Sequence, residues 1–223
     1  MAARERILAE IRRRQGRGGP ISPTERERID TYLRRHPRGP LRESSVDAVA
    51  GFRERAEASA STTDAVRTLA EAPAAVARYL EAQGLPRAGC VWPQLGGLDW
   101  RSAGLALEAR AANGDDAIGV TGAFSAIAET GTLMMCSGPD TPATVSLLPE
   151  THIALVPIER IVPFMEDAWD LARAELGQLP RAVNFISGPS RTADIEQTIV
   201  MGAHGPYRVH IVLIGLQGRA ESD

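Results

Sequence analysis

The chain has 223 residues, of which 43% are hydrophobic and 24% are charged, and its formal net charge is −3. This composition fits a soluble globular protein with one core and an N-terminal extension, and no apolar run reaches the roughly 18 residues of a membrane-spanning helix. No apolar signal core follows the N-terminus, and Cys90 and Cys136 form no Cys-x-x-Cys pair. We therefore expect a cytoplasmic protein without a disulfide framework and without an iron–sulfur cluster of its own.

The charge is distributed unevenly along the chain. All 25 basic residues are arginine, and residues 1–60 carry 14 of them against 9 acidic residues. Residues 61–223 carry 11 arginines against 19 acidic residues. A basic segment on an acidic body predicts contact with another acidic surface. Nucleic acid is a less favoured partner, because the segment has few aromatic residues on which bases could stack.

The N-terminal 45 residues are predicted to form a flexible, arginine-rich arm. Residues 3–14 and 24–35 have the spacing of short helices, and residues 15–23 between them are rich in glycine and proline. The segment His36-Pro-Arg-Gly-Pro40 ends the second helix. We expect residues 1–45 to pack poorly by themselves and residues 46–217 to form the folded domain.

The folded domain is predicted to alternate strands with helices. Helical spacing favours helices at 46–58, 63–71, 74–83, 159–175 and 192–200, with one turn within 123–129. Gly84 is expected to end the helix at 74–83. Short apolar runs predict strands at 90–92, 105–109, 116–120, 133–136, 153–156, 183–186 and 209–214. The alternation is typical of an α/β protein with an open, mostly parallel sheet flanked by helices. We expect the last five of these strands to share one sheet.

The first candidate site segment is Glu129-Thr130-Gly131-Thr132, which follows an apolar stretch. Glu129 could act as a nucleophile or a general base. It could equally accept hydrogen bonds from loop amides and hold the turn in place. We predict Glu129 as a catalytic residue, and Thr130, Gly131 and Thr132 as ligand-binding residues.

The second candidate segment follows the apolar run at 183–186 and concentrates hydrogen-bond donors in one loop. The predicted ligand-binding residues there are Ser187, Gly188, Ser190, Arg191, Thr192 and Asp194. Arg191 could clamp a carboxylate or a phosphate in bidentate fashion. A helix beginning in this loop would add backbone donors, and the loop is expected at the carboxyl edge of the sheet.

The third candidate segment is Gly202-Ala-His-Gly-Pro206, just before the last strand. His204 is a candidate proton carrier and Gly205 a candidate ligand contact. His152 precedes a buried strand and is interpreted as a structural histidine. The histidines show no metal-ligand spacing, so no metal site is predicted.

Taken together and in this order, these segments resemble the lactate-utilisation protein C family, the LUD-domain proteins. The matching residues are Ala128-Glu-Thr-Gly-Thr132, Ser146-Leu-Leu-Pro149 with His152-Ile153, Ile186-Ser-Gly-Pro-Ser-Arg-Thr-Ala-Asp-Ile-Glu196, and Gly202-x-His-Gly-Pro206. The segment His36-Pro-Arg-Gly-Pro40 is also similar. The resemblance covers roughly residues 36–215.

The resemblance implies a fold like that of the phosphosugar-isomerase and CoA-transferase superfamily (NagB/RpiA/CoA transferase-like). It also implies a subunit of a bacterial system that oxidises L-lactate to pyruvate with two partner proteins, at least one of which carries iron–sulfur clusters. This chain would then carry no cofactor and would bind a small anionic ligand, such as a carboxylate, in a strand-end cleft. Two alternatives stay open: a free-standing isomerase or acyl/CoA-transferase-like enzyme using Glu129, and a scaffold subunit without chemistry.

Overall fold

The computed structural model describes residues 3–16, 21–41, 47–195, 198–202 and 204–216, with the backbone alone for 193–195 and 198–201. Two compact units lie within residues 1–42 and 43–223. The first contains helices α1 (Ala3–Arg14) and α2 (Pro23–Arg35), neither of which has a buried residue. Among the helices that the structure describes, none is both long and apolar enough to cross a membrane.

The second unit alternates helices and strands along the chain. Its helices are α3 (Ala48–Ala58), α4 (Ala72–Ala82), α5 (Thr144–Leu147) and α6 (Met165–Leu176). Its strands are β1 (Thr62–Val66), β2 (Ala88–Val91), β3 (Ala106–Ala109), β4 (Ile118–Gly122), β5 (Ser125–Ile127), β6 (Thr132–Cys136), β7 (Thr151–Pro157), β8 (Ile161–Val162), β9 (Val183–Ile186), β10 (Arg191–Ile195), β11 (Thr198–Met201) and β12 (Arg208–Ile214).

Six strands form the central sheet, in the order β1-β12-β7-β4-β2-β3, and every neighbouring pair is parallel. The middle strands β4, β7 and β12 are almost continuous apolar runs and are buried nearly throughout. A parallel sheet covered on both faces requires such runs, because the side chains on each face of the strand are buried. Helix α4 packs against β1 and β12. The predicted α/β class with a parallel sheet flanked by helices is confirmed.

A second sheet of four strands, ordered β8-β5-β6-β9, lies beside the first. Strand β6 is antiparallel to both β5 and β9. One face of this sheet contributes Ala126, Leu133, Met135 and Ile186 to the main core. The other face carries Ile127, Met134 and Cys136, which pack against Ala168 and Ala172 of α6. The second sheet is therefore buried between the main core and α6.

The prediction that five strands share one sheet is wrong for 133–136 and 183–186. These segments are β6 and β9, which pair with each other in the second sheet. Strand β6 is buried on both faces. Its apolar run therefore looks like a central parallel strand in the sequence, because burial on two faces removes the alternation that marks a half-exposed strand.

Two predicted helices are strands in the structure. Residues 63–71, predicted as a helix, contain most of β1, which pairs in parallel with β12. The described part of 192–200, also predicted as a helix, belongs to the antiparallel pair β10 and β11, with Arg191 opposite Met201. Both segments contain β-branched residues, which fit a pleated strand better than a helix. The turn predicted within 123–129 is replaced by β5, while Gly84 (φ +62°) ends α4 as predicted.

Candidate functional site

The predicted site loops lie at the amino edge of the central sheet, not at its carboxyl edge. Strand β12 begins at Arg208, only three residues after Gly205. The backbone N–H of Arg208 donates to the carbonyl of Glu150, at the start of β7 (3.0 Å). The prediction of a carboxyl-edge cleft for these loops is therefore wrong. It depended on placing 183–186 in the central parallel sheet, whereas β9 runs in the second sheet.

Several predicted ligand-binding residues meet at the carboxyl end of α3. A Cβ atom on Gly131 would lie 2.3 Å from the backbone nitrogen of Ala56, and one on Gly188 would lie 2.0 Å from the carbonyl oxygen of Ser59. Both glycines have positive φ angles, +65° and +78°. Arg191 Nη2 donates to the same Ser59 carbonyl at 3.3 Å. Glycine is required at both positions because the backbones approach too closely for any side chain.

Hydroxyl groups join two of the predicted segments at the same end of the second sheet. Thr132 Oγ1 and Ser187 Oγ are 2.6 Å apart, and Thr132 is buried whereas Ser187 is exposed. The pair links the start of β6 to the residue after β9. Ser187 therefore has one side-chain partner inside the protein and a surface that solvent reaches.

The third predicted segment adjoins the second through backbone hydrogen bonds. The N–H of Ser190 donates to the carbonyl of Pro206, and the N–H of Gly202 donates to the carbonyl of Ser190, both at 2.9 Å. A Cβ atom on Gly205 would lie 3.4 Å from Ser190 Cβ. His204, between these contacts, is exposed. The structure therefore brings together Ser190, Arg191 and Gly205, with His204 in the adjoining loop.

Glu129 is positioned at the beginning of α6. Its carboxylate oxygen Oε1 accepts the backbone N–H of Met165, the first residue of the helix, at 2.9 Å. Its own N–H donates to the carbonyl of Pro163 at 3.0 Å. A carboxylate at a helix N-terminus satisfies an otherwise unpaired donor and complements the helix dipole. Glu129 thus has a structural role, and its catalytic role stays a prediction.

The remaining predicted site residues are distributed around this edge. Thr130 is exposed, Thr192 is partly buried, and the side chain of Asp194 lies outside what the structure describes. His152 is fully buried, and its Nε2 lies 2.8 Å from Thr121 Oγ1. His152 is therefore a core residue, as the sequence indicated. Within the described ranges, no three histidine, cysteine, aspartate or glutamate side chains are grouped closely enough to hold a metal ion.

A cavity of about 560 Å³ lies at the opposite, carboxyl edge of the central sheet. The sheet order changes direction between β2 and β4, because the chain passes outward from β2 to β3 and then returns through β4 and β7 toward β12. The cavity is lined by residues that follow these strands: Trp92 and Gln94 after β2, Ala123 and Phe124 after β4, and Arg160 after β7. In open α/β sheets, ligands bind in the crevice at this reversal of strand order.

The two charged residues that line this cavity form an ion pair with each other. Arg160 Nη1 and Nη2 donate to the two carboxylate oxygens of Glu175 at 2.7 and 2.9 Å. Arg160 Nε donates to the carbonyl of Phe124 at 2.7 Å, and the guanidinium lies 4.8 Å from the centre of the Phe124 ring. The bond to Arg160 lowers the pKa of Glu175. The sequence alone does not indicate this cavity, because its residues come from separate loops.

The sequence comparisons identify relatives of known family. Residues 94–214 match the model of the LUD domain. The chain is 46% identical over 100 residues to the lactate utilization protein C of an Exiguobacterium species, a match that covers 44% of each chain. It is 41% identical over 100 residues to the lactate utilization protein C of Bacillus subtilis, covering 44% of this chain and 42% of that protein. The matched region thus spans less than half the length of these two curated relatives.

A solved structure shares the fold. The crystal structure of a DUF162 family protein from Deinococcus radiodurans superposes with a TM-score of 0.58 and 24% sequence identity, covering 79% of this chain and all of that one. At this identity the likeness supports the fold alone. The domain model, in contrast, matches more than half of the chain and includes β3 to β12. The chain belongs to the LUD-domain family.

Proposed function

We propose that this protein is a component of a lactate-utilisation system, in which it helps to convert L-lactate to pyruvate. The observation that carries the proposal is the 41–46% identity over 100 residues to proteins named lactate utilization protein C. The protein would act with partner proteins, at least one of them containing iron–sulfur clusters. Its own contribution would be to bind a small carboxylate.

The amino-edge loops supply the chemistry for binding a carboxylate. Arg191 is exposed, and among the described residues its guanidinium makes one long hydrogen bond, 3.3 Å, to Ser59. The planar fork therefore keeps donors that can pair with both oxygens of a carboxylate. Ser190 and His204 come from the two loops that meet beside Arg191, and each could add a hydrogen bond to such a ligand.

We assign the electron-transfer step to the partner proteins because the two cysteines of this chain are buried and poorly suited to bind an iron–sulfur cluster. Cys90 and Cys136 are both buried, and burial raises the pKa of each thiol, to about 12 for Cys90. Cluster ligation requires several thiolates in one place. A buried thiol that resists ionisation is a poor ligand, so cysteines of other chains would hold the clusters.

The test is growth of the source organism after deletion of the gene for this chain. The deletion strain should fail to grow on L-lactate as the sole carbon source and should grow normally on pyruvate. Pyruvate is the matched control because it enters metabolism after the oxidation. A plasmid copy should restore growth on lactate. Normal growth of the deletion strain on lactate, in an organism without a second copy of the gene, would exclude the proposal.

A second measurement tests the partners. A tagged copy of the chain, isolated from lactate-grown cells, should recover iron–sulfur proteins whose amounts rise on lactate. Iron and acid-labile sulfide in the isolated complex should be associated with those partners and should be absent from the purified chain. Recovery of the chain by itself from such cells would favour the free-standing enzyme.

A further inference from the structure

The carboxyl-edge cavity is chemically different from the amino-edge loops. It lies at the reversal of strand order between β2 and β4, where open α/β sheets hold their ligands. Its volume of about 560 Å³ falls within the range of small-molecule sites, about 300–1,000 Å³. Lactate and pyruvate each have six non-hydrogen atoms and would leave most of such a space empty. The cavity is therefore too large to be a dedicated lactate site.

The charges that line the cavity cancel each other. Arg160 and Glu175 form a bidentate pair, and the Nε–H of Arg160 donates to the Phe124 carbonyl. An incoming carboxylate would find the cation already paired and would meet the Glu175 carboxylate beside it. Moving a carboxylate out of water without a partner costs several kcal/mol. The cavity therefore disfavours anions although it contains an arginine.

The neutral polar groups are mostly engaged within the protein. Trp92 Nε1 donates to the carbonyl of Pro142 at 3.1 Å, and Thr141 Oγ1 donates to the carbonyl of Cys136 at 2.9 Å. Ser137 Oγ accepts the N–H of Ala182 at 2.9 Å. Among the described residues, the side-chain amides of Gln94 and Gln178 have no hydrogen-bond partner, and both exposed residues line the cavity, Gln94 beside Trp92 at the reversal of strand order. Gln94 can thus donate to a carbonyl or accept from a hydroxyl of a ligand.

Apolar surface makes up the rest of the lining. The side chains are those of Trp92, Ala123, Phe124, Pro157, Leu176 and Pro180. The Trp92 ring is fixed by its hydrogen bond to Pro142 and lies against Gly122, where an added Cβ atom would be 3.5 Å from Trp92 Cζ3. A fixed aromatic wall with unpaired amides in the same lining favours an apolar ligand that carries a carbonyl or a hydroxyl.

We propose that this cavity is a second binding site, which takes an uncharged, ring-containing molecule with a carbonyl or hydroxyl group that pairs with Gln94. The site is separate from the Arg191 loops and does not depend on the lactate role. The ligand is several times larger than lactate and is held by apolar contact, while the Arg160–Glu175 pair excludes carboxylates.

The test compares two probes of nearly equal shape, 2-acetylnaphthalene and 2-naphthoate. They differ by the replacement of a methyl group with a charged oxygen. Calorimetry or ligand-observed NMR with the purified full chain should show that the ketone binds and that the carboxylate binds at least about tenfold more weakly. Equal or tighter binding of 2-naphthoate, or no binding of the ketone up to its solubility limit, would overturn the proposal.

Two substitutions locate the binding in this cavity. Glu175→Gln frees the Arg160 cation, so the preference for the ketone over the carboxylate should fall by about tenfold or reverse. The matched control is Glu81→Gln, which breaks an exposed pair with Arg87 outside the cavity. Gln94→Ala should weaken the ketone about fivefold or more through loss of one hydrogen bond, whereas Gln83→Ala should not. Unchanged binding in both Glu175→Gln and Gln94→Ala would place the probe elsewhere and overturn the assignment.

Discussion

The imidazole of His210 lies face to face on the ring of Tyr79, with 3.8 Å between the ring centres and 6° between the planes. His210 Nδ1 lies 2.8 Å from Thr62 Oγ1, whereas Nε2 has no partner among the described residues. The stack joins α4 to the central sheet. Because the His210 ring is buried, the stability of the protein is also sensitive to the protonation of His210.

The stability of the protein should fall as the pH decreases from 6.5 to 4. Burial lowers the pKa of both His152 and His210 to about 4, and nearby Asp64 opposes the shift only in part for His210. In the unfolded chain a histidine titrates near pH 6.5, so between these values the unfolded state binds more protons than the folded state. Each histidine should therefore destabilise the fold by roughly 2 kcal/mol at pH 5 relative to pH 7.5.

Urea unfolding at pH 7.5 and pH 5 measures this loss. The variant His210→Gln should show a smaller decrease between the two values than the parent protein. An NMR titration of the ring-proton signals of His152 and His210 should place the midpoint of each protonation below pH 5. A ring that protonates near pH 6.5 in the folded protein would contradict the prediction for that residue.

Gly188→Ala should destabilise the protein by about 3 kcal/mol or more. The added methyl group would lie 2.0 Å from the Ser59 carbonyl, and the φ angle of +78° is unfavourable for alanine. The matched control is Gly97→Ala, where no atom lies within 4 Å of the added group. Thermal unfolding of both variants measures the difference. Similar melting temperatures for the two variants would show that the loop does not pack on α3 as described.

Arg191→Ala should impair growth on L-lactate while the fold survives. A charge-assisted hydrogen bond to a carboxylate contributes about 1.5–3 kcal/mol, and the exposed guanidinium has one long contact with Ser59 to lose. Arg191→Lys should rescue growth in part, because an ammonium keeps the charge without the planar fork. The exposed Arg181 provides a control through Arg181→Ala. Growth rates are compared with melting curves of the purified variants, and normal growth of Arg191→Ala would make Arg191 a structural residue.

Glu129→Gln should leave growth on lactate nearly unchanged and should cost the fold about 0.5–1 kcal/mol. The amide oxygen of glutamine can still accept the N–H of Met165, but the charge that complements the α6 dipole is lost. Glu129→Ala removes the acceptor as well and should cost about 1–2 kcal/mol. If Glu129→Gln instead abolishes growth without changing the melting temperature, Glu129 is catalytic and the free-standing enzyme becomes the better interpretation.

Some of this protein could be predicted from the sequence because the relevant information is local. The apolar runs at 153–156 and 209–214 predict buried parallel strands, since a strand covered on both faces needs apolar side chains at every position. Gly84 marks the end of α4 through its positive φ angle. The family is indicated by the segments around Glu129, Ser187–Glu196 and Gly202–Pro206. Their residue order can be read directly from the sequence without knowing the fold.

Only the tertiary structure decided how these pieces are paired. Strand β6 has the composition of a central parallel strand, yet it pairs with β5 and β9 in the second sheet. Strands β10 and β11 pair in antiparallel fashion because cross-strand pairing outweighs the helical spacing that the sequence suggested. The cavity joins Trp92, Phe124 and Arg160, which stand more than 30 residues apart from one another. Strand pairing and loop convergence depend on contacts between distant residues, so local periodicity determines which segments are strands but not which strands meet.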